Sequence, residues 1–240
     1  MSKPFKEWTV LPHGKLSKVD DNVLTVAGEL PMPLGKFPRR MTVVRLRDGK
    51  LVVYSAIALD ESEMQELEGF GDPAYLVVPS DIHRMDAKIW KDRYPSMKVL
   101  APAGVRAKVE EVVHVDQTTA DFEDPGVRFV VVPGTEEHEA ALVVETATGT
   151  TLVVNDLIWN VGDRPGFGGW LYKMLGMTGS DPKIPKIVVR KAIKDKAAVR
   201  KQLRAWAHIN DLNRIIVSHG NIVTHDPQNV LSHLAEALAA

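Results

Sequence analysis

Short apolar runs open the chain. Val23 to Leu30, Met41 to Arg47 and Leu51 to Ile57 are rich in β-branched residues, which predicts three strands. Asp48-Gly49 separates the last two, and both residues tolerate positive φ, so a tight hairpin is expected there. Pro31, Pro33, Gly35 and Pro38 predict a loop between the first two. The pattern then changes. Asp60 to Gly69 reads as a helix with acidic residues in its first turn. Ala74 to Val78 reads as a strand buried on both faces. Ala87 to Tyr94 and Gly104 to Val112 read as helices, with a short strand at Val99-Leu100-Ala101. Val127 to Val132 is again strand-like, and Ala140 to Glu145 with Thr151 to Asn155 predict a hairpin across Thr148-Gly149. Lys191 to His208 predicts one long helix, and Arg214 to Ser218 a final strand. Asp226-Pro227 supplies the N-cap and first position of a closing helix. A β meander followed by alternating helices and strands is accommodated by two mixed sheets covered by helices, in one α/β domain over residues 1–240.

Composition narrows the function. The 240 residues are 45% hydrophobic, enough for one large core. The formal net charge of −1 argues against nucleic acid as a partner, since phosphate binding rests on clustered Lys and Arg. The basic stretch from Lys183 to Arg204 interleaves charged and apolar residues, as a solvated helix face does. There is no cysteine, which excludes disulfides, thiolate ligation and Cys nucleophiles. No apolar run approaches the ~20 residues that span a bilayer. Residues 1–8 lack the apolar stretch of a secretory signal, so no membrane partner and a cytoplasmic location are expected.

Candidate chemistry gathers at predicted strand ends. Asp81 and His83 follow the strand ending at Val78, and His138 follows the strand ending at Val132. Asp156 and His219 directly follow the strands ending at Asn155 and Ser218. Loops at such edges build sites in α/β proteins. Imidazole with carboxylate suits zinc, manganese or iron better than calcium or magnesium. Asp81, Asp86 and Asp156 also have local backbone-capping readings. His13, His114, His208, His225 and His233 lack a partner pattern and read as structural or solvated. Gly166 to Met177 is apolar and contains Phe167, Trp170 and Tyr172. It reads as a core helix, as a lid lining a substrate pocket, or as the contact of a homodimer. No Gly-x-Ser-x-Gly elbow and no phosphate loop is present, which disfavours an α/β-hydrolase and an NTPase.

From Val23 onward the chain resembles the metallo-β-lactamase superfamily, and within it a DUF4336-like branch. Val43 to Leu46 with Leu51 to Ser55 resembles the opening hairpin. Pro79-Ser80-Asp81-Ile82-His83-Arg84-Met85-Asp86 stands where that family has its His-x-His-x-Asp-His loop. Gly134 to His138, Val154-Asn155-Asp156 and Val217-Ser218-His219-Gly220 stand where it has its later ligands, and Tyr94-Pro95 through Leu100-Ala101-Pro102 resembles the DUF4336-like pattern. The resemblance implies a four-layer αββα sandwich. It implies a metal site drawn from Asp81, His83, Asp86, His138, Asp156 and His219, holding one or two ions of zinc, manganese or iron. Asp86 or Asp81 would take the proton from a metal-activated water. The loop departs from the family at Asp81, Met85 and Asp86, and a Met thioether suits neither a second ion nor water orientation. Two functions are therefore expected to compete. One is a metal-dependent, esterase-like hydrolase of a small-molecule ester, lactone or related (phospho)ester bond. The other is a weakly active or non-catalytic small-molecule binder on the same fold.

Overall fold

The computed structural model describes residues 3–32, 35–163 and 165–239, without the Phe167 side chain. Among the described residues ten strands and seven α-helices alternate much as the sequence pattern predicts. Six strands form one sheet in sequential order: β1 (Ser17–Asp20), β2 (Val23–Met32), β3 (Gly35–Arg45), β4 (Lys50–Tyr54), β5 (Asp72–Val77) and β6 (Lys98–Leu100). Its first four strands are antiparallel, and β4, β5 and β6 run parallel. The crossovers carry helices α1 (Glu61–Phe70) and α2 (Ala87–Arg93). A 3-10 turn at Ala103–Val105 and helix α3 (Arg106–Glu110) follow β6. The second sheet has the order β10-β9-β8-β7, from β7 (Val127–Val131), β8 (Ala140–Thr146), β9 (Gly149–Asn160) and β10 (Leu212–Gly220). Between β9 and β10 lie α4 (Gly166–Met174), α5 (Lys186–Lys191) and α6 (Lys196–Ala207), and α7 (Pro227–Ala237) closes the chain.

The strand period explains the layers. Along β4, Leu51 and Val53 face α1 and α2, while Val52 and Tyr54 face the other sheet. Leu142 and Val144 of β8, Val153 of β9 and Ile216 of β10 meet them in the inter-sheet core. Their neighbours Ala141, Val143, Leu152 and Ile215 face α6 and α7. Both faces of both sheets are thus apolar, and the result is the αββα sandwich with two mixed sheets. The Tyr54 hydroxyl bridges the sheets by donating to the Ala140 carbonyl at 2.7 Å. Among the described residues no helix is long and apolar enough to cross a membrane.

Two expectations are corrected. The loop expected from Pro31, Pro33, Gly35 and Pro38 is strand where it is described: β2 and β3 stay paired from Val23↔Val44 out to Met32↔Gly35, and Pro33 lies outside the described residues. Pairing of β3 with β4 covers only Thr42 to Arg45, and the last backbone bond on the far side of β2 runs from Glu29 N to the Pro12 carbonyl, so at Pro31 and Pro38 each strand lacks a further ladder partner. Proline, which cannot donate, is tolerated on such edges. The long helix expected over Lys191 to His208 begins only at Lys196, as α6, and Lys191 is instead the last residue of α5. The backbone N–H groups of Lys194 and Asp195 donate to the Gly134 carbonyl, and Asp195 caps α6 through Ala197 N and Ala198 N. That tertiary contact, with its cap, overrides a continuous helical pattern.

Candidate metal centre

Three of the predicted residues converge. His83 comes from the loop after β5, Asp156 from within β9 and His219 from within β10. One ligand atom of each lies within 4.8 Å of the others, the only such group among the described residues. The Nε2 atoms of His83 and His219 are 3.1 Å apart, and Asp156 Oδ1 is 3.5 Å and 3.1 Å from them. The strands do not simply end there, as the sequence implied. Val217 pairs with Val154 but His219 pairs with Trp159, so residues 155–158 bulge out of the β9–β10 ladder. A bulge re-aims a side chain without ending the strand, and this one turns Asp156 toward the two imidazoles. Immediately after His219, Gly220 has φ +104°, and a Cβ there would stand 2.0 Å from the Asn160 carbonyl oxygen. The close approach of β10 to β9 at this point requires glycine.

Every other polar atom of the three is already engaged. His83 Nδ1 lies 2.7 Å from the Ser55 hydroxyl. Ser55 itself has φ 56°, sparsely populated for a non-glycine residue, and such strain is concentrated at functional sites. His219 Nδ1 lies 2.8 Å from the Pro38 carbonyl at the hairpin. A carbonyl only accepts, so this nitrogen carries a proton, and Nε2 is the atom left to hold either a second proton toward Asp156 or an ion. Asp156 Oδ2 accepts from the Ser80 hydroxyl at 3.0 Å and from Asn155 Nδ2 at 2.9 Å. Burial pushes the Asp156 carboxyl up, but His83 and His219 outweigh it and hold the group well below the usual carboxylate range. Electron-rich atoms this close need a shared cation, either a proton or a metal ion. Outer hydrogen bonds that fix ring orientation while leaving Nε2 and Oδ1 facing inward are the usual surroundings of metal ligands. The residues present therefore fit a divalent ion, and two nitrogens with one oxygen suit zinc, manganese or iron.

The remaining predicted residues sit elsewhere. Asp81 is half-buried on the wall of a ≈ 270 Å³ cavity that opens onto the three ligand atoms. Asp86 is buried beside it, with Oδ2 2.6 Å from Arg39 Nη1 and Oδ1 accepting from Ala58 N at 2.9 Å. Burial pushes its carboxyl up, against the pull of Arg39. It occupies the N-cap position of α2 without a side-chain capping bond. His138 lies outside the cluster: its ring is exposed, with Nδ1 2.9 Å from the Glu136 carbonyl. Two consecutive left-handed residues, Glu136 at φ 51° and Glu137 at φ 59°, shape the loop that precedes it. Tyr172 of α4 is buried and lines the cavity with Leu30, Phe37, Trp159 and Met177. Trp170 on the same helix is 54% exposed and is not part of that wall. The Phe167 side chain lies outside the described residues. Phe37 and Trp159 also pack against the His219 ring, tilted and edge-on, with centroids 5.0 and 4.9 Å away.

Three residues with a part in the site have no signal in the sequence pattern: Ser55, Arg39 and Glu139. Glu139 is buried, accepting from Leu157 N at 3.1 Å and so pinning the bulge that carries Asp156. Burial, then the neighbouring Asp156 charge, raises its carboxyl well above the ordinary 4.5, which favours the protonated form in the fold. The unfolded chain ionises as pH rises past that value while the fold keeps the proton, so this group's contribution to stability falls with pH. Glu139→Gln is accordingly expected to gain on the wild type by up to about 1.4 kcal/mol per pH unit above pH 5. Urea unfolding of both metal-free proteins from pH 5 to 8 checks this. A stability difference that does not change with pH would mean that Glu139 is ionised in the fold.

No sequence-family model matches the chain, and no curated protein does. Solved structures do match. The metallo-β-lactamase FIM-1 from Pseudomonas aeruginosa, in its mono-zinc form, superposes with a TM-score of 0.64 at 14% identity, over 95% of this chain and 96% of that one. A metallo-β-lactamase from Erythrobacter litoralis gives 0.62 at 15% identity, over 92% and 96%. One from Hirschia baltica gives 0.60 at 12% identity, over 93% and 98%. At these identities the likeness establishes the fold: the chain has the metallo-β-lactamase architecture.

Proposed function

We propose that the chain is a metal-dependent hydrolase that holds one zinc, manganese or iron ion on His83, Asp156 and His219 and opens an ester, lactone or related bond. The observation that carries this reading is the convergence of three inward-facing ligand atoms whose outer atoms are all hydrogen-bonded. Three protein ligands leave coordination positions open, as catalytic rather than structural sites do. Such an ion would lower the pKa of a bound water and polarise a carbonyl or phosphoryl oxygen. Asp81, on the cavity wall, would accept the proton, whereas both oxygens of Asp86 are committed to Arg39 and Ala58. Phe37, Trp159 and Tyr172 exclude water and seat the apolar part of a substrate. The reading extends to a DUF4336-like branch whose loop retains one ion site.

A second reading, a binder with little turnover, draws support from the Asp86 ion pair and the outward His138, which leave fewer groups for a second ion. Metal analysis of purified and reconstituted protein decides first, followed by turnover of chromogenic ester, lactone and phosphotriester substrates with and without chelator. One ion per chain with chelator-sensitive turnover supports the hydrolase. Absence of turnover, with or without an ion, supports the binder, and absence of an ion sinks the hydrolase. Ser55→Ala removes the partner of His83 Nδ1 while leaving all three ligands in place. It is expected to weaken zinc affinity by about 10- to 100-fold, read in a competition titration with a chromophoric chelator. Unchanged affinity would mean that the strained serine does not orient His83.

A further inference from the structure

Arg39 is the unexplained charge of the cavity. It lies on β3 in the outer hairpin, its side chain is 6% exposed, and it lines the same cavity as the three ligands. Only Nη1 has a partner, the Asp86 carboxylate. Nε and Nη2 are both buried and have no hydrogen-bond partner among the described residues. Leaving a buried charged donor unsatisfied is costly, and two on one side chain call for a ligand. Nε and Nη2 form the side-on edge of the guanidinium, whose two parallel N–H groups match the two oxygens of a carboxylate. Arg84, the other arginine on the cavity, is engaged by the Lys108 carbonyl and Glu111. One available guanidinium edge favours a planar monoanion over a phosphate dianion. Besides the two arginines, Ser55, Asp81, Asp86 and the three converging residues, the wall is apolar, and it includes Met32, Met85 and Met177, flexible side chains that can adapt to a bound molecule.

We propose that the cavity selects a carboxylate-bearing apolar molecule, its carboxylate received by Nε and Nη2 of Arg39 and its hydrocarbon part lying against Phe37 and Tyr172. As a substrate class this rests on the hydrolase reading, since it places the anion of an ester or lactone substrate on Arg39 and its scissile bond near the ligand cluster. The binding itself is independent of the ion and is tested without it. Isothermal titration of the full chain with 4-phenylbutyrate and with 4-phenylbutyramide, metal-free and zinc-loaded, measures the preference for charge. The acid is expected to bind about tenfold or more tightly than the amide in both forms. Arg39→Gln combined with Asp86→Asn removes both charges together and should bring acid and amide to equal affinity. Arg39→Lys keeps a charge without the fork and should lower the preference severalfold, which keeps the test open should the double variant not fold. Equal affinities in the wild type would overturn the proposal. So would a preference that survives in the folded double variant, or one left unchanged by Arg39→Lys. A preference seen only with zinc would assign the carboxylate to the ion instead, and would overturn the Arg39 site while leaving the metal centre intact.

Discussion

His219→Ala is expected to abolish stoichiometric metal binding while leaving the protein folded. His219 is held from three sides: its Nδ1 on the Pro38 carbonyl, its ring between Phe37 and Trp159, and its Nε2 3.1 Å from Asp156. Removing it deletes one of only three converging donors, so the loss of affinity should exceed the about 10- to 100-fold that losing an outer hydrogen-bond partner costs. The thermodynamic readout is independent of any substrate. Zinc at 100 times its dissociation constant should stabilise the wild type by about 2.7 kcal/mol against unfolding. The variant should gain nothing from the same zinc, and its ion content should fall to background. His83→Ala should behave in the same way from the opposite sheet. Equal zinc-dependent stabilisation of wild type and variants would place the ion elsewhere and remove the basis of the hydrolase reading.

The largest change in stability is expected from Arg39→Met. Asp86 is 2% exposed and its only charged hydrogen-bond partner among the described residues is Arg39, so the substitution strands a carboxylate in the core. Breaking a buried pair from one side costs about 3–5 kcal/mol, mostly through the charge left behind. Adding Asp86→Leu to Arg39→Met should recover most of that loss, because the penalty belongs to the unpaired ion rather than to the missing attraction. Urea unfolding at neutral pH measures both variants. A single variant within 1 kcal/mol of the wild type, on the scale of an exposed pair, would show that the ion pair does not anchor this part of the fold.

Much of this architecture is legible in the sequence because it rests on periodicity. Leu51 to Tyr54 alternate between two cores, and the β8 and β10 runs do the same, so strands buried on both faces announce themselves. The closing helix is announced by Asp226 and Pro227, and its cap forms as written, with Asp226 accepting from Asn229 N. What pattern does not carry is set by tertiary contact. The helix break before Asp195 depends on the distant Gly134 carbonyl. The outer hairpin persists through Pro31 and Pro38 because its strands have open sides there, a property of neighbours rather than of residues. The same division holds at the site. Residue type and strand-end position point to His83, Asp156 and His219, whose convergence depends on a bulge with no sequence signature. His138 has the same type and position but an exposed ring, while the neighbouring Glu139 is buried beneath the bulge. Only the backbone path distinguishes these two adjacent residues.

The three ligand atoms do not belong to one sheet. His83 is carried by the six-stranded sheet, Asp156 and His219 by the four-stranded one, and the Pro38 carbonyl reaches across from the first to the second. The centre is therefore a rivet through the seam of the sandwich. A slide of one sheet over the other by a few tenths of an ångström changes the triangle of ligand atoms directly. Residues far from any substrate, such as Leu142, Val153 and Ile216 in the layer between the sheets, consequently act as tuning screws for the centre. Changes of volume there should be read out at the centre before they are read out as unfolding.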